Sequence, residues 1–225
     1  MYDETLSKRK VPIIAIEGVD GCGKGTQTYR LSQMLNDKHR LSSLVTSVIP
    51  DGLGQISYLR KFLVGGKTAS RISEALVYMA SIYEVCKELQ EVEIDLGIMD
   101  RSIYSTIAYQ VVGRESKTEP FDVERLIHSV INHEQFKEVV MPDYLLVLDI
   151  DHSTQLQRME KRGKLDHFEK MPKEFHERVR EYYRGQAIYL KAGVVNGVGT
   201  ESEITENLYT ALRAMILPEH QHFFE

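Results

Sequence analysis

The residues best suited to chemistry form a glycine-rich string near the start of the chain. Residues 18–24 read GVDGCGK, which matches GxxxxGK and stands between an apolar strand-like run and a helical pattern. Glycines let several backbone N–H groups face one anion, and the following helix directs its positive end to the same place. Lys24 would then bridge β- and γ-phosphate oxygens. The alternative, a glycine-rich turn between a strand and a helix, is disfavoured by this full context.

The string predicts a binding site for the phosphates of ATP. The expected ATP-binding residues are Gly18, Gly21, Cys22, Gly23, Lys24, Gly25 and Thr26. The Ser or Thr that usually follows the lysine is replaced by Gly25, and Thr26 comes one step later, as the candidate Mg²⁺ ligand. The resulting GKGTQ resembles the loop of nucleoside monophosphate kinases, adenylate kinase among them.

A second chemical pair, Asp100-Arg101, ends the third predicted strand. The carboxyl ends of parallel strands gather around one crevice, so both side chains should face the phosphates. Asp100 could order Mg²⁺ or its water, and Arg101 could clamp the phosphoryl acceptor through its planar fork. A surface ion pair at a strand end is the alternative for an isolated Asp-Arg.

Short apolar segments alternate with longer helical ones, a pattern typical of an α/β protein with a parallel sheet. The predicted strands are Val11–Glu17, Ser43–Ile49, Leu96–Asp100, Tyr144–Asp151 and Val194–Val198. The predicted helices are Gly25–Asn36, Ser73–Glu91, Ser102–Val111, Phe121–His133, Thr154–Lys161, Lys173–Ala192 and Ser202–Ile216. Met1–Lys10 and the tail after Leu217 are expected to be frayed.

The segment that follows Asp100 extends this interpretation. Residues 100–110 read DRSIYSTIAYQ and match DRxxxSTxAYQ, a string that resembles the thymidylate kinase family, particularly its bacterial type. Supporting similarities are IEGVDGCGKGTQ at 16–27, PDxxLxLD at 142–149, LxRxxxRGxxDxxE at 156–169 and FxxRVRxxY at 175–183. The resemblance implies one P-loop NTPase domain over residues 1–225. In that fold a five-stranded parallel sheet carries helices on both faces, with a small mobile LID at about residues 156–170.

The resemblance also implies an acceptor site. Asp20 would contact the deoxyribose 3′-hydroxyl, and the Tyr109 ring would exclude a ribose 2′-hydroxyl. Ser105 and Gln110 would line the base pocket. Tyr78, where the family usually has phenylalanine, would stack on the base. An aromatic residue at helical spacing is as readily explained as part of the core.

The LID resemblance concerns two arginines. Arg158 and Arg162 lie one turn apart and share a helix face. Family members carry a catalytic arginine either inside the phosphate loop or in the LID. Because Gly21 fills the loop position, this chain resembles the LID type, with Arg162 the best candidate for stabilising the transferring phosphoryl group. Without the phosphate loop, a solvated helix face would explain both arginines.

The chain departs from the family in two places. Where the family has TREPGGT after the second strand, residues 46–53 read TSVIPDGL and lack the Arg-Glu pair. Arg60 still falls at the family's following arginine and is expected to bind the acceptor. The position of the family's base-contacting arginine is held by Ile82, so one hydrogen-bond donor to the pyrimidine is missing.

These features leave three functions open. The first is transfer of the γ-phosphate of MgATP to a deoxypyrimidine monophosphate, with dTMP to dTDP foremost. The second is a deoxynucleoside kinase, because DRSIYS also resembles that family's ERS signature. It would need a general base near the end of the second strand, where Asp51 is a weak candidate. The third is a non-catalytic P-loop protein that binds nucleotide as a switch or scaffold.

Composition and cysteine spacing limit the classes of binding partner and the cellular compartment that suit this chain. Among 225 residues, 28 are basic and 33 acidic, and the net charge of −5 does not favour a nucleic-acid polymer. The chain has no apolar run near the length of a membrane span and no signal-peptide pattern. Cys22 and Cys86 lack zinc or disulfide spacing, which fits the reducing cytoplasm. The family resemblance implies a homodimer.

Overall fold

A parallel sheet forms the centre of the computed structural model, which describes residues 11–48, 70–114, 123–163 and 165–224. Its five strands run in the order β2-β3-β1-β4-β5, and every neighbouring pair is parallel. The strands are β1 (Ile13–Glu17), β2 (Ser43–Ser47), β3 (Leu96–Asp100), β4 (Tyr144–Asp149) and β5 (Gly193–Asn196). The predicted fold class is therefore confirmed, with strand ends that match or differ by at most two residues, and the predicted end of the second strand, Ile49, lies outside the described residues.

Helices connect these strands and cover the sheet. They are α1 (Lys24–His39), α2 (Arg71–Glu91), α3 (Ile103–Ile107), α4 (Val123–Ile131), α5 (Glu134–Val140), α6 (His152–Arg162), α7 (Lys173–Leu190) and α8 (Glu201–Arg213). The sequence prediction missed α5, which has only seven residues and lacks a side-chain cap. It also treated 102–111 as one α-helix, whereas α3 continues into a π-helical turn over Ala108–Val112. Such turns frequently mark functional sites.

The central strands are apolar because both of their faces are covered. All five residues of β1 are buried, as are five of the six in β4. Strands buried on both faces read as continuous apolar runs, which is why β1 and β4 could be recognised in the sequence. No helix among the described residues is long and apolar enough to cross a membrane.

The strand register brings two chemical motifs together. Ile16 of β1 pairs with Asp100 of β3, so the loop that follows β1 begins beside the Asp-Arg pair. Arg101 continues this contact by donating its backbone N–H to the Ile16 carbonyl at 3.1 Å. The phosphate loop and Arg101 therefore lie at the same edge of the sheet, as expected for a parallel α/β fold.

The end of the chain is ordered, so the prediction of a frayed tail after Leu217 was wrong. Pro218–Phe223 forms a 3₁₀ helix. The Tyr144 hydroxyl accepts the backbone N–H of Leu217 at 3.2 Å and lies 2.6 Å from His220 Nδ1. These polar contacts and the packing of Phe224 against His39 hold the tail on the domain, whereas Met1–Lys10 lies outside the described residues.

Replacing Tyr144 should loosen this tail without touching the chemistry. Tyr144→Phe removes both hydrogen bonds and leaves the ring in place, so we expect a loss of roughly 1–2 kcal/mol in the free energy of unfolding. The turnover rate should stay unchanged. Urea unfolding and a steady-state assay measure the two quantities, with Tyr189→Phe as the control because Tyr189 is 82% exposed. Equal stability of both variants would contradict the docked tail.

Candidate active site

The phosphate loop joins β1 to α1 through a backbone that needs glycine. Gly18 and Gly21 have φ values of 146° and 75°, where side chains are unfavourable. A Cβ atom at Gly18 would collide with the Leu148 carbonyl oxygen. One at Gly21 would lie 3.4 Å from the Gln155 carbonyl oxygen of α6. The loop therefore packs closely between β4 and the predicted LID helix.

Lys24 is the first residue of α1, and its ammonium group lies inside the loop. Its Nζ atom donates to the carbonyl oxygens of Gly18 at 3.0 Å and Val19 at 2.9 Å. The residue is only 6% exposed. It contributes to a cavity of about 440 Å³, a volume suited to a nucleotide. The described residues that line this cavity are Asp20, Gly21, Gly23, Lys24, Gly25, Thr26, Asp100, Arg101, Arg158 and Arg162.

A hard cation would find oxygen ligands in this cavity. The Oδ1 atom of Asp100 is buried and has no hydrogen-bond partner among the described residues. Its other oxygen lies 3.2 Å from where a Cβ atom at Gly25 would be, which places the carboxylate against the start of α1. Thr26 lines the same cavity. An unpaired buried carboxylate oxygen and a hydroxyl fit Mg²⁺, which prefers oxygen ligands. Within residues 11–48, 70–114, 123–163 and 165–224, no group of three or more His, Cys, Asp or Glu side chains is placed to hold a metal ion. A Mg²⁺ ion in this cavity would therefore also need oxygen atoms from the bound phosphates.

A second cavity, of about 100 Å³, adjoins the first. Both include Asp20 and Arg101. The described residues that line the second cavity are Asp20, Val48, Tyr78, Arg101, Ser105, Thr106, Tyr109, Gln110, Asp166 and Phe168. All predicted acceptor-site residues but one are therefore together, and Arg60 lies outside the described residues.

Asp20, Arg101 and Tyr109 form a charged cluster where the cavities meet. Arg101 Nη2 is paired with Asp20 Oδ1, and the Tyr109 hydroxyl donates to Asp20 Oδ2 at 2.8 Å. The Arg101 guanidinium also lies 4.9 Å from the centre of the Tyr109 ring. Burial alone would raise the pKa of Asp20, but the charges of Arg101 and Lys24 outweigh it and hold that pKa below its usual value. Asp20 therefore stays ionised.

Unpaired polar groups line the wall of the second cavity. Gln110 is fully buried, and neither its amide nitrogen nor its amide oxygen has a hydrogen-bond partner among the described residues. The Thr106 hydroxyl is likewise buried and has no hydrogen-bond partner among the described residues. Buried polar atoms without partners are costly, so these groups suit a ligand with its own donors and acceptors. Thr106 was missed in the sequence, although it stands inside the motif that identified Ser105.

Aromatic rings form the rest of this cavity. Tyr78 lines it, is half-buried and also packs against the hydrophobic core, so its stacking on a base stays a prediction. Burial raises the pKa of its hydroxyl to about 12, so the ring stays neutral. Phe168, which sequence reasoning did not select, lies edge-on to Tyr109 at 5.3 Å. Ile82 is fully buried in the core and is not among the lining residues.

The two arginines of α6 have different surroundings. Arg158 donates to the carbonyl oxygens of Cys22 at 3.1 Å and Gly197 at 2.8 Å, so it braces the phosphate loop. Arg162 is paired with Glu169, and its side chain is 54% exposed. Both line the first cavity. Arg162 is therefore the arginine that is more easily redirected toward a bound nucleotide.

Glu17 is a further polar residue that sequence reasoning missed. It is fully buried at the end of β1 and accepts hydrogen bonds from Ser102 and Ser105. Burial raises its pKa, and the Ser105 hydrogen bond together with the Arg101 charge opposes that rise. Its position directly before the phosphate loop was the only signal in the sequence.

Two adjoining cavities that share an arginine allow a phosphoryl donor to meet an acceptor with water displaced from between them. One cavity is built on a phosphate loop, and the other is lined by aromatic and amide side chains. The fold and this site therefore define a P-loop nucleotide kinase.

Comparison with known proteins narrows this class. The family model for thymidylate kinase matches residues 16–196. A thymidylate kinase of Blochmanniella pennsylvanica is 30% identical over 88% of this chain and 93% of its own, and one of Carboxydothermus hydrogenoformans is 31% identical over 85% and 91%. A crystal structure of thymidylate kinase from Ehrlichia chaffeensis shares the fold, with a TM-score of 0.64, 23% identity and coverage of 90% and 98%. This chain belongs to the thymidylate kinase family.

Proposed function

We propose that this protein transfers the γ-phosphate of ATP to the 5′-phosphate of dTMP, which yields dTDP and ADP. The observation that carries the proposal is that Asp20 and Arg101 line both cavities, since a shared arginine can hold an acceptor phosphate in line with a donor phosphate. No contact among the described residues favours the deoxynucleoside kinase or the non-catalytic alternative, and Asp51, the candidate general base of the former, lies outside the described residues.

The reaction needs charge stabilisation rather than a covalent intermediate. An oxygen of the acceptor phosphate attacks the γ-phosphorus while the bond to the β–γ bridging oxygen breaks, and ADP leaves. Lys24 and the N-terminal end of α1 hold the donor phosphates, and Arg101 holds the acceptor phosphate. Arg162 supplies positive charge to the transferring group when it leaves Glu169. Thr26 and Asp100 would hold Mg²⁺, which supplies further neutralisation of phosphate charge.

The second cavity would bind the deoxynucleoside. Asp20 accepts a hydrogen bond from the 3′-hydroxyl, and the Tyr109 ring occupies the space that a 2′-hydroxyl would need. Tyr78 stacks on the pyrimidine, while Gln110 and Ser105 line its edge. Thr106, whose hydroxyl has no hydrogen-bond partner among the described residues, adds a donor and acceptor to the same edge.

The proposal also covers the domain, its moving segment, the oligomeric state and the cellular compartment. Residues 1–225 would form one kinase domain in which 156–170 moves as a LID, closing on ATP through Arg162. By analogy with the family, the enzyme would be a homodimer. Buried Cys22 and Cys86 form no disulfide, which suits the cytoplasm.

An acceptor panel tests this pocket. Because Ile82 is buried in the core, recognition of the base depends on Gln110 and Thr106. The missing hydrogen-bond donor at position 82 should cost on the order of 1–3 kcal/mol of discrimination between bases. We therefore expect dTMP as the best acceptor, measurable use of dUMP and dCMP, and poor use of UMP. Comparing kcat/KM for the four nucleotides at fixed MgATP measures this order. A parent enzyme that prefers UMP to dUMP would overturn the assigned pocket.

Tyr109 provides a separate prediction about the sugar. Tyr109→Ala should partly relieve the exclusion of UMP because the ring is removed, whereas Tyr109→Phe keeps the ring and loses the hydroxyl that donates to Asp20. We expect the ratio of kcat/KM for dUMP to that for UMP to fall about tenfold or more in Tyr109→Ala and to change little in Tyr109→Phe. If Tyr109 only packs the core, both variants will lose stability and keep the parent ratio.

A further inference from the structure

One charged group beside the phosphate loop has no part in the mechanism above. Glu17 is the last residue of β1, is fully buried, and contacts neither cavity. Burial of a carboxylate is costly unless hydrogen bonds compensate it. Its partners therefore indicate what it does.

Within the described part of the chain, Glu17 accepts four hydrogen bonds, and all of them come from the first turn that follows Arg101. Its Oε1 atom accepts the Ser102 backbone N–H at 2.7 Å, the Ser102 hydroxyl at 2.8 Å and the Ser105 backbone N–H at 3.2 Å. Its Oε2 atom accepts the Ser105 hydroxyl at 2.7 Å. The carboxylate thus ties the end of β1 to the beginning of α3.

The Ser105 hydroxyl extends this connection to Arg101. Because its proton is donated to Glu17, its oxygen is left to accept, and Arg101 Nη1 donates to it at 3.2 Å. The Tyr183 hydroxyl lies 2.9 Å from the same oxygen. One guanidinium nitrogen is therefore fixed by a chain that begins at Glu17, while the other is fixed by Asp20.

The backbone of Arg101 also depends on this connection. Its φ of 74° lies in the left-handed region, which a residue with a side chain adopts only where its surroundings hold it. The next residue, Ser102, is anchored on Glu17 by both its backbone and its hydroxyl. The hydrogen bonds from Ser102 to Glu17 hold one end of this turn, and the hydrogen bond from Arg101 to the Ile16 carbonyl holds the other. Together they keep Arg101 at the junction of the two cavities.

We propose that Glu17 is a positioning residue for phosphoryl transfer, which holds Arg101 toward the acceptor phosphate through Ser102 and Ser105. The inference rests on the proposed function, because it requires that Arg101 binds the acceptor. Glu17 lines neither cavity, so its main effect on the use of dTMP is expected to pass through Arg101.

The variant Glu17→Gln tests this role with little change in shape. A glutamine side chain turns one acceptor into an N–H donor and removes the charge, so it cannot accept all four hydrogen bonds. Arg101 should then lose its fixed orientation. We expect kcat/KM for dTMP to fall about tenfold, while KM for ATP stays within about twofold of the parent.

A double-mutant cycle separates positioning from general damage. The four proteins are the parent, Glu17→Gln, Arg101→Gln and the double variant. If Glu17 acts through Arg101, then the Glu17 change should alter kcat/KM for dTMP by less than about twofold once Arg101 is replaced. Independent losses that multiply in the double variant would overturn the proposal, as would a Glu17→Gln enzyme with parental kinetics.

Two controls keep the outcome interpretable. Asp95 accepts the backbone N–H and the hydroxyl of Ser42 at the opposite end of the sheet, so Asp95→Asn removes a similar carboxylate cap and should leave the kinetics unchanged. If Glu17→Gln does not fold, Ser105→Ala cuts the connection while Ser102 stays anchored. The effect of Ser105→Ala on kcat/KM for dTMP must likewise fall below about twofold once Arg101 is replaced by Gln, or the proposal fails. A parent that does not phosphorylate dTMP would instead refute the proposed function.

Discussion

Lys24→Ala is expected to lower kcat at least about a hundredfold while the fold remains intact. The ammonium group lies inside the phosphate loop and contacts the backbone carbonyls of Gly18 and Val19, so its position suits phosphate oxygens and not the hydrophobic core. Removing one preorganised donor to a developing negative charge commonly costs about 10²–10³ in kcat. Steady-state kinetics and thermal unfolding of the same preparations measure both effects.

The control for this variant is Lys38→Ala, at the other end of α1. Lys38 pairs with Glu206 on the exposed surface and should affect neither quantity strongly. Activity of Lys24→Ala above about a tenth of the parent would contradict the assignment of the phosphate loop.

Arg162→Ala should lower kcat about tenfold or more, with a much smaller increase in the KM for ATP. That pattern marks a group that acts mainly in the transition state. Lys161→Ala is the matched control, since Lys161 is an exposed neighbour on α6 that lines neither cavity. Measurements of kcat and KM at saturating dTMP separate the two parameters.

Arg158→Ala should behave differently from Arg162→Ala. Because Arg158 donates to carbonyl oxygens of the phosphate loop and of Gly197, its loss should lower thermal stability and have the milder effect on kcat. If neither arginine affects kcat, the LID assignment fails and both belong to a solvated helix face.

The parts of the site that could be predicted are those encoded by short strings. The phosphate loop needs glycines at fixed spacing because its backbone takes positive φ values, so GxxxxGK reveals it without any long-range information. Asp100 and Arg101 could be placed beside it because parallel strands present their carboxyl ends at one edge. The fold class could be predicted because short apolar segments alternate with helical ones along the chain, and the buried runs of β1 and β4 made those two strands easy to recognise.

Other features depend on contacts that no local pattern encodes. Glu17 acquires its partners from residues 85 to 88 positions away, so its sequence neighbours do not show that it caps α3. Tail docking depends on the distant Tyr144 hydroxyl. Phe168 and Thr106 enter the second cavity only when α3 and the segment after α6 are brought together, and a π-helical turn changes the local spacing of side chains.

The most direct test of the central claim is the identity of the phosphorylated product. The purified protein would be incubated with MgATP and either dTMP or thymidine, and ³¹P NMR would follow the nucleotides. We expect ATP and dTMP to be converted to ADP and dTDP, with two coupled diphosphate signals from the new product, and thymidine to remain unconverted. Formation of dTMP from thymidine, or no transfer to dTMP at all, would contradict that claim.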